Sequence, residues 1–101
     1  MRIDTERHMV SINGRDVELP PRELALLIQL TLHRAAPLKT STLASLAWPD
    51  NPFATAADVY RHVYALRTLL RDHRSCPVFI RARRGVGYQL DTPRGTESDR
   101  S

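Results

Sequence analysis

Cysteine is almost missing: Cys76 stands alone, which excludes an internal disulfide and any cysteine-built metal cluster. Four histidines are present, but His8, His33, His62 and His73 share no ligand spacing with one another or with carboxylates. No metal and no cofactor are expected. Long apolar runs are missing too. The densest stretch, residues 24–32, is interrupted by Gln29 and Thr31 and falls short of the ~18 residues a membrane span needs. Residues 1–7 include Arg2, Asp4, Glu6 and Arg7, so no apolar signal-peptide core opens the chain. A cytoplasmic protein without membrane contact is expected. Catalytic constellations are equally scarce. Ser41, Ser45 and Ser75 lie near no His–Asp arrangement, the close acidic pairs are Asp4/Glu6 and Asp16/Glu18, and Gly85-Val86-Gly87 is too short for a phosphate loop. The chain does not read as an enzyme.

What is present describes one small domain. With 101 residues, 42% hydrophobic and 26% charged, the composition is that of a globular chain with one modest core. A folded unit over residues 1–91 is expected. Residues 92–101 contain no apolar side chain and are expected to form a disordered tail. Basic charge is unevenly placed. The net charge is +4, and residues 58–84 hold Arg61, Arg67, Arg71, Arg74, Arg81, Arg83 and Arg84 against only Asp58 and Asp72. A local excess of arginine fits a polyanionic partner, through counterion release and forked contacts to phosphate. A solvated basic surface accounts for it equally well.

Patterning gives an order of elements. A weak alternation over residues 7–12 runs into Asn13-Gly14, a strong hairpin signal. A second short strand is predicted over 16–19, with Val17 and Leu19 on one face. Pro20-Pro21 stops it and starts a helix reaching about residue 34, with Glu23 in its first turn. Leu24, Leu27, Ile28 and Thr31 share one face of that helix, and Leu26, Leu30 and Leu32 widen the stripe. Thr40 reads as the N-cap of a second helix carrying Leu43, Leu46 and Ala47 to Trp48, ended by the Pro49-Asp50-Asn51-Pro52 cluster. Thr55-Ala56-Ala57-Asp58 reads as a capping box. The third helix then follows to residue 72 or 73, with Val59, Val63, Leu66 and Leu70 as its apolar stripe. After Ser75-Cys76-Pro77, a strand over 78–83 with Val78, Ile80 and Ala82 on one side precedes the glycine turn and a return strand over 88–90. The predicted class is α+β: a short N-terminal hairpin or sheet, three helices and a C-terminal hairpin. Two helices joined by a turn to a basic third element suit a helix-turn-helix, and the terminal hairpin would be its wing.

Val17-Glu18-Leu19-Pro20-Pro21-Arg22-Glu23, residues 43–48, residues 59–70 with Leu66-Arg67, and above all Arg84-Gly85-Val86-Gly87-Tyr88 resemble the winged-helix effector domain of OmpR/PhoB-type response regulators. The likeness covers about residues 10–90. Trp48-Pro49-Asp50 and Thr55-Ala56-Ala57 also resemble the related antibiotic-regulator (SARP-type) domains. The resemblance implies a bacterial transcription regulator that binds double-stranded promoter or operator DNA, with direct repeats as a common arrangement. It further implies a monomer in the absence of DNA, RNA polymerase as a further partner, and a four-stranded N-terminal sheet that is shortened in this chain. It also implies a receiver domain elsewhere in the regulator, for which this chain has no room: either the effector part alone or a free-standing winged helix is expected.

Carried over by position, the resemblance places Ala57, Asp58, Tyr60, Arg61, His62, Tyr64, Ala65 and Arg67 on the DNA-facing recognition helix. Arg81, Arg83, Arg84 and Gly85 fall in the wing. Several positions depart from the usual pattern. Ala57 and Ala65 stand where arginine is common, Thr68-Leu69 where two lysines often stand, and Ala82 where a threonine usually touches phosphate. Arg61 replaces a small apolar residue and, on the exposed face, is the expected base reader, its guanidinium suited to guanine O6 and N7. Arg67 reads as a phosphate clamp or a structural salt bridge, and Arg84 as a cation reaching a narrow minor groove. His62 is either a phosphate donor or a surface histidine. Gly85 and Gly87 serve the turn; Trp48 and Tyr88 belong with the core. Two function classes follow. The first is sequence-specific DNA binding, with the third helix in the major groove and the wing in the adjacent minor groove. The second is a protein-interaction module whose basic face docks an acidic partner.

Overall fold

A computed structural model describes residues 2–12, 14–71 and 79–91. Asn13, the helix end expected at residue 72 or 73, the Ser75-Cys76-Pro77 break, Val78 and the tail expected over 92–101 lie outside the described residues.

Three short antiparallel strands open the chain: β1 (Arg2–Asp4), β2 (Met9–Ile12) and β3 (Arg15–Glu18), in that order across the sheet. β1 was not legible in the pattern. Its loop has no glycine or proline; instead the Asp4 carboxylate accepts from the Glu6 and Arg7 N–H groups at 3.1 Å, a local turn that asparagine and aspartate side chains build. His8 takes a positive φ of 56° and passes the chain into β2. Val10 pairs with both Ile3 and Val17, and Val10, Ile12, Val17 and Leu19 are buried. One face of the sheet therefore covers the helices.

α1 (Pro21–Leu32) starts with proline at its first position and has no side-chain cap; the N–H that proline lacks there would have no partner within the helix. Leu24, Leu26, Leu27 and Leu30 are buried, while Leu32 is 69% exposed. Leu32, expected to widen the core stripe, instead faces the opposite side of the helix. Thr31, half-buried beside the stripe, satisfies its hydroxyl on the Leu27 carbonyl at 2.8 Å. A two-residue strand, β4 (Leu38–Lys39), precedes α2 (Thr40–Ala47). Lys39 occupies the cap position without a side-chain bond, so Thr40 is the first helical residue and not the cap. The pairing of β4 with the wing sets that entry geometry. Leu43, Ala44 and Trp48 are buried, but Leu46 is 40% exposed.

α3 (Ala56–Arg71) begins at the capping box that the sequence shows. The Asp58 carboxylate accepts the Thr55 N–H at 2.9 Å, and the Thr55 hydroxyl accepts the Asp58 N–H at 3.2 Å. Val59, Val63, Leu66 and Leu70 are all buried, which fixes the register of the helix. β5 (Phe79–Arg83) and β6 (Gly87–Asp91) form the C-terminal hairpin, and β6 sits between β4 and β5. Ile80 and Leu90 enter the core, whereas Ala82, expected on the same side as Ile80, is exposed at the end of the hairpin that projects past the core. Gly87 opens β6 opposite Lys39 and Arg83. A Cβ there would overlap the Leu38 carbonyl oxygen and lie 2.8 Å from its carbon. Gly87 thus serves the close approach of β4, and only Gly85, with φ +78°, serves the turn.

Candidate nucleic-acid interface

The buried stripe of α3 leaves the opposite side of the helix outward. Ala57, Tyr60, Arg61, Tyr64 and Thr68 are exposed there, with Asp58 and Ala65 half-buried at its margin. The Arg61 side chain is 63% exposed and its guanidinium lies 2.6 Å from the Asp58 carboxylate. Asp58 therefore caps the helix through one oxygen and holds Arg61 through the other. Its pKa lies below the ordinary aspartate value, chiefly because the Thr55 N–H donates to the carboxylate. Partial burial opposes this, while the Thr55 hydroxyl and the charges of Arg61 and His62 add to it.

Two residues assigned to this face turn inward instead. His62 Nδ1 lies 2.6 Å from the Glu23 carboxylate, and its ring stands edge-on to Trp48 with centroids 5.2 Å apart. Glu23 is 6% exposed, so this acid meets the rule that a buried carboxylate needs a partner. Trp48 donates its indole N–H to the Arg22 carbonyl at 3.2 Å, and the Arg22 guanidinium lies 5.2 Å from the indole centroid. These four side chains clasp the start of α1, the end of α2 and the middle of α3. His62 is thus half-buried and held through Nδ1 by Glu23. Arg67 makes no salt bridge among the described residues. It donates Nε and Nη2 to the Ile80 carbonyl at 3.0 and 2.8 Å and lies 6.0 Å from the Tyr88 ring centroid, tying α3 to the hairpin. Glu23 is the residue that sequence reasoning placed correctly but read only as a helix-dipole partner. Its place four residues before Leu27 and seven before Leu30, in line with the buried stripe of α1, was the available sign of a buried role.

The hairpin carries the other arginines assigned to the interface. Arg81 pairs with Asp91 at 3.0 Å across the strands. Arg83 donates to Gln89 at 2.9 Å, and Gln89 in turn donates to the Arg34 carbonyl at 3.1 Å, so this wing arginine is braced against the end of α1. Arg84 and Gly85 occupy the exposed turn, closed by the Val86 N–H to the Arg83 carbonyl at 2.9 Å. Among the described residues Arg84 has no ion-pair partner. Among the described residues, no group of three His, Cys, Asp or Glu side chains is placed to hold a metal, and no helix is long and apolar enough to cross a membrane.

Comparison with known proteins bears on this geometry. A family model described as transcriptional regulatory protein, C terminal, matches residues 14–90. The transcriptional regulatory protein AfsQ1 of Streptomyces coelicolor is 37% identical over 91 residues, covering 90% of this chain and 40% of that protein. The response regulator protein PmrA of Pseudomonas aeruginosa is 35% identical over 95 residues, covering 92% and 40%. The chain thus spans about two-fifths of the length of these relatives. Among solved structures, the DNA-binding domain of Escherichia coli CadC superposes with a TM-score of 0.76 at 29% identity, covering 88% of this chain and 83% of that one. The AdeR DNA-binding domain, solved in complex with an intercistronic region, gives 0.77 at 27% identity, with coverage of 91% and 94%.

Proposed function

This chain belongs to the OmpR/PhoB-type family of transcriptional regulatory C-terminal domains, and from that premise we propose how it binds DNA. It is a winged-helix DNA-binding domain that recognises double-stranded DNA sequence-specifically in transcription regulation. α3 enters the major groove by its outward face, and the hairpin turn at Arg84 and Gly85 reaches the adjacent minor groove. The observation that carries this reading is the side of α3 left uncovered, with Ala57, Tyr60, Arg61 and Tyr64 outward while Val59, Val63, Leu66 and Leu70 hold the helix to the core. A helix of 16 residues presented in this way suits a groove about 12 Å wide. Arg81, Arg83 and Arg84 supply cations beside it.

The division of labour follows from chemistry. Contacts to phosphate fix position and salt dependence, and contacts to base edges fix sequence. His62 and Arg67 serve by orienting α3 and its junction with the hairpin, since both are engaged within the fold. Ala57 and Ala65 carry no hydrogen-bonding group and offer only close approach. The domain acts as part of a cytoplasmic two-component regulator, binding promoter DNA as single copies that assemble on direct repeats and engage RNA polymerase there.

Selection from a random duplex library, followed by competition binding at two salt concentrations, tests the proposal. A preferred site that survives competitor DNA at the higher salt is expected. Weak binding with no preferred site, erased by salt, would overturn it and favour a module that docks an acidic protein.

A further inference from the structure

Between residues 57 and 68, the outward face of α3 offers a groove almost no uncommitted charge. Asp58 and Arg61 neutralise one another at 2.6 Å, and Arg67 is turned onto the Ile80 carbonyl. What the face does present is aromatic. Tyr60 and Tyr64 are each 60% exposed, and their four-residue separation makes them neighbours on the helix surface. One turn before Arg61 stands Ala57, exposed and too small to hold a partner away. Tyrosine rings are large, stiff and amphipathic, so they supply contact area at a low cost in conformational entropy. In the major groove, the apolar group that distinguishes one base from another is the 5-methyl of thymine.

We propose that Tyr60 and Tyr64 are specificity-determining residues that select thymine-bearing steps by apolar contact of their rings with the thymine 5-methyl groups. Ala57 admits the backbone of α3 closely enough for that contact. Arg61, held by Asp58, adds one polar reading beside it, and the wing supplies the attraction to phosphate. The inference rests on the DNA-binding reading above and names the base chemistry that α3 recognises.

The test begins with the site selected by the unaltered protein. Thymidines in that site are replaced one at a time by deoxyuridine, which deletes the methyl and leaves pairing intact. At one or two positions affinity is expected to fall about fourfold, the equivalent of one buried carbon. Tyr60→Ala and Tyr64→Ala are expected to lose affinity on the thymidine site and to stop distinguishing thymidine from deoxyuridine. Tyr60→Phe and Tyr64→Phe are expected to keep both affinity and discrimination. Indifference of the unaltered protein to every methyl deletion overturns the inference. So does an equal loss in the phenylalanine and alanine variants, because the hydroxyl would then be the contact. The methyl-deletion arm uses the unaltered protein and depends on no variant folding. If selection yields no preferred site, the DNA-binding reading falls together with this one; if a site is selected but methyl deletion has no effect, only this one falls.

Discussion

At Asp58 a single carboxylate fixes both the start of α3 and the side chain of Arg61. Its lowered pKa couples this arrangement to pH. Because the folded value lies below the unfolded one, about 3.9, the stabilisation is complete above the unfolded value and disappears as pH falls through the folded one. Asp58→Asn is therefore expected to melt below the unaltered protein at neutral pH, with the gap closing towards acid. Thermal melts between neutral and strongly acidic pH check this, and a gap independent of pH would remove the carboxylate from the account. Arg67 and Arg84 differ in the opposite way from their shared charge. Arg67→Ala strips two hydrogen bonds from the Ile80 carbonyl and is expected to cost about 1–2 kcal/mol of stability. Arg84→Ala is expected to leave the melting temperature unchanged and to lower the log–log salt slope of DNA binding by about one phosphate equivalent. Parallel melts and salt titrations of the two variants separate these roles; identical profiles would mean that both act through charge alone.

Among the elements, α3 depends most on a single stripe. Leu66 is fully buried in it, and Leu66→Ala is expected to cost about 2–5 kcal/mol through the cavity it leaves. Chemical denaturation measures this, and a wild-type midpoint would contradict the helix register. Gly87→Ala is a different kind of lesion. A methyl there collides with the Leu38 carbonyl, so β4 must leave β6, and faster amide exchange of Leu38 and Lys39 is the expected sign. The capping box, the α3 stripe and the Arg84–Tyr88 turn were legible in the sequence because each is local: a cap, a period or a glycine fixes it within a few residues. β1 and β4 were not, since β1 turns on an aspartate side chain and β4 exists only by pairing with a strand about 50 residues later. The site was legible as a face but not residue by residue. Periodicity places Arg61 outward, yet His62 and Arg67 turn to Glu23 and Ile80 through contacts 39 and 13 residues distant in sequence.

Across the whole molecule, the described cations at the candidate interface lie chiefly on the hairpin, while residues 57–68 of α3 present a balanced pair and two rings. Charge at the rim of an interface mainly alters how fast partners meet, and desolvated contacts mainly alter how long they stay together. Arg84 would then govern the rate of capture from solution and the speed of travel along nonspecific duplex. Tyr60 and Tyr64 would govern residence time once the site is reached. A substitution in the hairpin would change how quickly a promoter is found without changing which promoter is held. One on the exposed side of α3 would let the protein arrive at the usual rate and leave early.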